Sequence, residues 1–143
     1  MTRFNAPTVL AAMTAALFIS SPAAHAEMIK YSATLAGAAQ VPPVDSTATG
    51  TAEITVDTDA KTVTWVFTAD GLSGAATAAH IHGPASATET APPVIDVMVD
   101  PMTGSAEITE AQAADMAAGM TYFNVHTEKF PDGEIRGQIE VAK

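Results

Sequence analysis

Residues 51–70 read TAEITVDTDAKTVTWVFTAD, and this stretch decides the fold. Every second side chain from Ala52 to Val56 is apolar, and the alternation resumes from Val63 to Phe67 after the polar run DTDA at 57–60. Successive side chains of a β-strand point to opposite faces, so a period of two predicts strands with one buried face. Two such runs around a turn-like segment predict a β-hairpin with Trp65 in the core.

The same period recurs in segments that Gly, Pro and Asp residues separate. The further predicted strands are 29–35, 78–82, 94–99, 121–127 and 134–141. Residues 109–119 differ, because a Thr cap, an acidic first turn, several alanines and a final glycine predict a helix of about two to three turns. The expected fold is all-β: an antiparallel immunoglobulin-like or Greek-key β-sandwich or barrel of about seven to eight strands with one short helix.

One internal similarity has two interpretations. The segment GTAEIT at 50–55 is echoed by GSAEIT at 104–109. The two segments are either equivalent strands of a pseudo-symmetric sandwich or a chance match, since a single match is not a repeat array.

The first 26 residues have the features of a signal peptide. Arg3 is their only charged residue, an apolar run extends from Val9 to Ile19, and Ala24-His25-Ala26 has the form of an A-x-A cleavage site. The run is shorter than the ~20 apolar residues that span a membrane. We therefore expect residues 1–26 to be removed, residues 27–143 to form one domain, and the protein to be periplasmic or secreted. A retained N-terminal anchor is the alternative.

Composition excludes several function classes. The chain has 16 acidic and 6 basic residues and a formal net charge of −10, so its surface repels nucleic acid and anionic lipid and attracts cations. Acidity is also an ordinary device for solubility. The chain has no cysteine, which rules out disulfides, thiolate metal ligands and thiol catalysis. No stretch after the leader is long and apolar enough for a membrane span.

Three histidines follow residue 27: His80 and His82 in AHIHG, and His126 in NVHT. Residues i and i+2 of a strand share a face, so the first two imidazoles point away from the core if Ile81 faces inward. A third histidine from another strand would complete a Zn²⁺ or Cu²⁺ site, with Glu134 or water as a fourth ligand. Copper and zinc are the only cofactors that the pattern indicates. The alternative is that the histidines make structural hydrogen bonds.

A polar face accompanies the last two predicted strands. When the apolar residues of 121–127 and 134–141 face the core, the polar side chains between them face outward. The five outward residues that form our ligand-binding hypothesis are Tyr122, Asn124, Glu134, Arg136 and Gln138. The turn FPDG at 130–133 makes these strands neighbours, whereas periodicity does not show whether 78–82 lies beside them. The structural alternative is a network in which Glu134 and Arg136 form an ion pair.

Several blocks in a fixed order carry a family resemblance: LAGAAQVPP at 35–43, AHIHGPA at 79–85, YFNVHT at 122–127 and FPDGEIRGQI at 130–139. On these blocks, residues 28–141 resemble the CHRD domain, a module of chordin and of many bacterial exported proteins. The family usually has Glu where this chain has Gln40. The resemblance implies an immunoglobulin-like β-barrel with a likeness to Cu/Zn superoxide dismutase, and no general enzymatic activity. In chordin-like proteins the domain belongs to extracellular modules that bind signalling ligands.

Three functions stand as hypotheses. The first is an exported, non-catalytic CHRD binding module for an unknown protein or cell-surface ligand. The second is a protein that binds a divalent metal, copper or zinc, through His80, His82 and His126. The third is a redox enzyme of dismutase type, for which three histidines after the leader are too few to build a binuclear copper–zinc site.

Overall fold

The computed structural model describes residues 27–143, so the signal peptide predicted for residues 1–26 lies outside the described residues. Within the described part, the chain forms nine strands, one 3₁₀ turn and one α-helix. In chain order these are β1 (Met28–Ala36), the 3₁₀ turn (Gly37–Ala39), β2 (Thr49–Asp57), β3 (Thr62–Asp70), β4 (Ala76–His82), β5 (Pro93–Val97), β6 (Thr103–Glu107), α1 (Glu110–Ala117), β7 (Tyr122–Thr127), β8 (Ile135–Gln138) and β9 (Glu140–Val141).

The strands pair antiparallel in one sheet of order β5-β4-β7-β8-β1-β2-β3-β6, with β9 also beside β1. The edge strands β5 and β6 approach each other, so the sheet curls into a nearly closed barrel. The predicted all-β fold is therefore confirmed, with nine strands in place of seven or eight. The predicted strand 134–141 is divided at Ile139, which lies between β8 and β9 and whose N–H donates to the Thr121 carbonyl at 2.9 Å.

The additional strand β6 lies in the segment that echoes β2. It pairs with β3 on the side opposite β2, so residues of the two echoed segments flank the same strand. Gly104 lies opposite Trp65 in this pairing, and an added Cβ at Gly104 would come within 2.7 Å of the indole ring. A small residue is therefore required where β6 crosses the buried tryptophan.

The β2–β3 hairpin forms as the alternation predicts. Asp57 Oδ1 accepts hydrogen bonds from the N–H groups of Asp59 (3.0 Å) and Ala60 (2.8 Å), an arrangement that favours a turn. The register pairs Ile54 with Trp65, so alternate side chains of both strands enter the barrel. Trp65 is 3% exposed, which confirms its predicted place in the core. Each Å² of apolar surface buried in this way stabilises the fold by about 25 cal/mol.

The predicted helix is confirmed as α1. The Thr109 hydroxyl accepts from the Gln112 N–H, and the Gln112 side chain accepts in return from the Thr109 N–H. This capping box satisfies two backbone donors that a helix start leaves unpaired. The helix ends before Gly119, whose φ of +70° is a left-handed conformation that glycine adopts without strain. Within residues 27–143, no helix is both long and apolar enough to cross a membrane.

Three neighbouring strands, β4, β7 and β8, determine where the polar residues meet. The register places His80 opposite Asn124 and His82 opposite Tyr122, and Asn124 in turn opposite Arg136. The polar side chains of all three strands therefore share the outer face of one sheet region. Sequence periodicity left the position of β4 open, and the pairing of β4 with β7 resolves it.

Candidate functional site

The three histidines come together on the outer face of β4 and β7. Ile81 is completely buried and points inward, so His80 and His82 point outward, as predicted. His126 pairs with Ala78 and therefore lies diagonally across from His80. One ligand nitrogen from each of the three imidazoles lies within 4.8 Å of the other two. His80 Nδ1 and His126 Nε2 lie 3.0 Å apart.

Backbone carbonyls orient two of the rings. His82 Nδ1 lies 2.8 Å from the Ala91 carbonyl oxygen, and His126 Nδ1 lies 2.8 Å from the Pro131 carbonyl oxygen. A carbonyl oxygen only accepts, so both Nδ1 atoms carry the proton and donate. When neutral, each ring then carries its lone pair on Nε2. Hydrogen bonds of this kind commonly orient metal-binding histidines.

His82 has a further property that is costly in a purely structural residue. The residue is 7% exposed, and its Nε2 is fully buried without a hydrogen-bond partner among the described residues. A buried polar atom without a partner costs about 1–3 kcal/mol. Burial, together with the nearby His80, His126 and Arg136, lowers the pKa of His82 despite the opposing Ala91 hydrogen bond. The ring is therefore neutral near pH 7, with a lone pair that no group of the described residues uses.

The third ring, His80, is the one nearest solvent. Its side chain is 23% exposed, and its Nε2 lies 3.6 Å from Asp96 Oδ1 on the neighbouring strand β5. Burial is the largest influence on its pKa, and with the neighbouring His126 it lowers the pKa more than Asp96 raises it. His80 therefore also stays neutral near pH 7. Its exposed edge leaves room for a water or another external ligand beside the three nitrogens.

The predicted polar face contains a stack of rings that ends at the histidines. The Arg136 guanidinium lies 3.5 Å from the centre of the Tyr122 ring, and Tyr122 stacks on His82 at 4.7 Å with an angle of 9° between the planes. Arg136 Nη2 donates to the carbonyl oxygens of Ser86 (3.1 Å) and Glu89 (2.8 Å) in the loop after β4. Burial lowers the pKa of Arg136, and Tyr122 opposes this by less.

The ion pair expected between Glu134 and Arg136 does not form, although both residues are almost completely buried. Glu134 precedes β8, and its carboxylate accepts from the Ser46 and Thr127 hydroxyls, both at 2.7 Å, and from the hydroxyl and N–H of Ser73 at 2.7 and 3.0 Å. The side chain thus points to the loops before β2 and β4. Its carboxylate is not part of the histidine group, so the fourth-ligand role considered for it has no support here.

Asn124 and Gln138 also hold loops against the sheet. Asn124 Oδ1 accepts from Gln40 Nε2 at 2.8 Å, and Asn124 Nδ2 donates to the Asp132 carbonyl at 3.2 Å. Gln138 Nε2 donates to the carbonyl oxygens of Ala85 (2.9 Å) and Gly119 (2.8 Å). The five residues of the predicted ligand face therefore have structural partners, and their role in ligand binding stays a prediction.

Sequence reasoning missed the groups that support this face. The carbonyls of Ala91 and Pro131 come from loops, and backbone groups leave no trace in side-chain patterning. Ser46 and Ser73 also lie in loops. Of the supporting groups, only Asp96 could have been predicted from the sequence. It alternates with apolar neighbours on β5 and so faces outward beside His80.

These features define a class: a small antiparallel β-barrel domain that gathers a histidine cluster and a polar face on one side of the barrel. Comparison with protein-family models matches residues 31–139 to the CHRD domain, so the chain belongs to the CHRD domain family. This is a family of non-enzymatic domains. No curated protein and no solved structure matches the chain.

Proposed function

We propose that the protein is an exported, non-catalytic CHRD domain that binds one divalent transition-metal ion, Cu²⁺ or Zn²⁺, through His80, His82 and His126. The observation that carries the proposal is the buried His82 Nε2, which has no hydrogen-bond partner among the described residues although His82 belongs to a cluster with two further imidazoles. Neutral imidazole nitrogens suit both metals. The net charge of −10 favours the approach of a cation.

Each histidine contributes one nitrogen to the site. The carbonyl hydrogen bonds of His82 and His126 leave Nε2 of both rings as ligand atoms. In the metal-free protein, His80 Nδ1 donates its proton to His126 Nε2. To bind through Nδ1, His80 must carry the proton on Nε2 instead, where it faces Asp96. A carboxylate behind a ligand histidine favours this tautomer.

The spacing of the nitrogens fits a single ion. Zn–N bonds of ~2.0–2.1 Å in tetrahedral geometry place ligand nitrogens about 3.4 Å apart. The observed 3.0 Å between His80 and His126 is near this value, and all three nitrogens lie within 4.8 Å of one another. A small rotation of the imidazoles therefore brings the set to bonding distance, and the solvent side keeps a fourth position for water.

Export is supported by the N-terminal pattern of residues 1–26, and a binding role is supported by the family. A dismutase-type redox enzyme is the weaker alternative, because a binuclear copper–zinc site needs more ligands than three histidines supply. If metal does not bind, the domain stands as a module for an unknown protein or cell-surface partner.

Isothermal titration calorimetry of the untagged full chain with Zn²⁺ and with Cu²⁺ tests the proposal. We expect one ion per chain, with Cu²⁺ tighter than Zn²⁺. His80→Ala, His82→Ala and His126→Ala should each weaken binding by roughly a hundredfold, because each removes one of three protein ligands. His25→Ala removes the only other histidine and is the matched control. Absence of binding, or equal binding by all four variants, contradicts the proposal.

A further inference from the structure

A groove separate from the histidine cluster lies between the segment after β1 and the loop after β4, with β8 as its floor. Its volume is about 460 Å³. Apolar carbon dominates the walls, which include Ala38, Ala39, Val41, Pro43 and Ala87. The floor carries two polar side chains, Arg136 and Gln138. The two are i and i+2 on β8 and so share one face of the strand.

Arg136 brings an uncompensated positive charge to this groove. The residue is 2% exposed, and within residues 27–143 no carboxylate lies within 4.0 Å of its guanidinium. Nη2 donates to two carbonyl oxygens, whereas Nε and Nη1 donate to no described residue. A guanidinium has five N–H groups in a fixed fork, and the planar fork matches a carboxylate. An arginine that is buried without a counter-ion is costly unless an anion neutralises it.

Gln138 has an unused hydrogen-bond acceptor, whereas Arg136 has unused donors. Its Nε2 is fixed by two carbonyl acceptors, so its Oε1 is the remaining polar atom of the amide. That oxygen is fully buried and accepts no hydrogen bond from the described residues. The groove is therefore lined by one residue with unused N–H donors and one with an unused acceptor, and the two residues share a face of β8. A ligand that satisfies both has a carboxylate next to an N–H group.

We infer that this groove binds the carboxylate of an N-acylated α-amino acid, either as a free small molecule or as the C-terminal residue of a peptide. Arg136 receives the carboxylate, Gln138 Oε1 accepts from the adjacent amide N–H, and the alanine-rich walls contact a small apolar side chain. No histidine lines the groove, although Arg136 connects it to the histidine cluster through the stack with Tyr122 and His82. The inference does not rest on metal binding at that cluster.

The test uses ¹⁵N NMR of the full chain in the presence of EDTA. The chain has two arginines, Arg3 and Arg136, so the spectrum has two arginine Nε–H signals, and Arg3→Lys identifies the one from Arg136. The probes are N-acetyl-L-alanine, the tripeptide acetyl-Ala-Ala-Ala with a free carboxylate, and the same tripeptide as its C-terminal amide. We expect the carboxylates to shift the Arg136 signal and the amide to bind at least about tenfold more weakly, as expected for loss of a charge-assisted hydrogen bond.

A matched pair of variants tests the location. Ala87 is exposed on the groove wall, so substitutions there do not disturb the core. Ala87→Glu places a competing carboxylate at the groove and should weaken binding at least about tenfold, whereas the isosteric Ala87→Gln should change it by less than about twofold. Equal melting temperatures of the two variants exclude a folding defect.

The outcomes separate the two sources of the ligand. Equal affinity of N-acetylalanine and the tripeptide indicates a small-molecule ligand, and tighter binding of the tripeptide indicates a peptide C-terminus. Both uphold the inference. It is overturned if no carboxylate moves the Arg136 signal, if the amide binds as well as the acid, or if Ala87→Glu binds as well as Ala87→Gln.

Discussion

Glu134→Gln is the substitution whose effect on stability the structure predicts most directly. The carboxylate accepts from the Ser46 and Thr127 hydroxyls and from both the hydroxyl and the N–H of Ser73, and Glu134 is 1% exposed. A glutamine has the same shape but only one acceptor oxygen, and it replaces the other with an NH₂ donor. Two of the donors therefore lose their acceptor in a buried site.

The magnitude follows from these bonds. A hydrogen bond to a charged group contributes about 1.5–3 kcal/mol, and hydroxyls that lose their acceptor can rotate to accept from the new NH₂. We therefore take the lower end for two bonds and expect Glu134→Gln to lower the free energy of unfolding by about 3 kcal/mol, or the melting temperature by roughly 10 °C.

Urea denaturation followed by the fluorescence of Trp65 measures this loss, because Trp65 is the only tryptophan and is buried. Glu53→Gln is the control, since Glu53 is exposed on β2. A loss below about 1 kcal/mol, or one equal to that of the control, would refute the reasoning that Glu134 holds two loops to the barrel as an ionised group.

Three further predictions concern acid sensitivity, close packing and metal-linked stability. Burial raises the pKa of Glu134, but the hydrogen bonds from Thr127, Ser73 and Ser46 together outweigh burial and lower the pKa below 4.5. The ionised Glu134 therefore stabilises the folded state above pH 4.5, and this stabilisation is lost as the pH falls below that value. The difference in unfolding free energy between the natural protein and Glu134→Gln should therefore shrink between pH 6 and pH 3, and a pH-independent difference speaks against the assignment. Gly137→Ala should cost about 3 kcal/mol in urea denaturation, because the added Cβ would lie 2.1 Å from the Thr34 carbonyl oxygen, whereas Gly74→Ala, with nothing within 4 Å, should be nearly neutral. Zn²⁺ at a hundred times its dissociation constant should stabilise the protein by about 2.7 kcal/mol, and His82→Ala should show no such gain in the same thermal melts.

The strand content follows from sequence because a period of two is a local property. The β2–β3 hairpin, the outward direction of His80 and His82, and the helix cap at Thr109 each depend on residues close together in the chain. Strand order depends on long-range pairing, so the position of β4 beside β7 became clear only in the folded chain. The strand β6 was left open because its sequence, TGSAE, has little apolar content, and its echo of β2 was consistent both with a strand and with chance.

The features of the site likewise separate into those that the local sequence predicts and those that depend on distant parts of the chain. The membership of His80, His82 and His126 in one cluster was predictable as a hypothesis from residue type and strand phase. The prediction of a Glu134–Arg136 ion pair was wrong because it extended the strand alternation to Glu134, which lies one residue before the start of β8. Each side chain instead meets groups from distant loops, serine hydroxyls for Glu134 and carbonyls for Arg136, and loop positions are not encoded in a local period.

The most direct test of the metal proposal is anomalous diffraction at the zinc edge from crystals of the protein grown with Zn²⁺. We predict one peak at ~2.0–2.1 Å from three nitrogens, Nδ1 of His80 and Nε2 of His82 and His126. The three histidines cluster in this structure, and His80 Nδ1 already lies 3.0 Å from His126 Nε2. A peak on surface carboxylates, or none, with His82 Nε2 still unpartnered, would contradict the account and leave the histidines as structural groups.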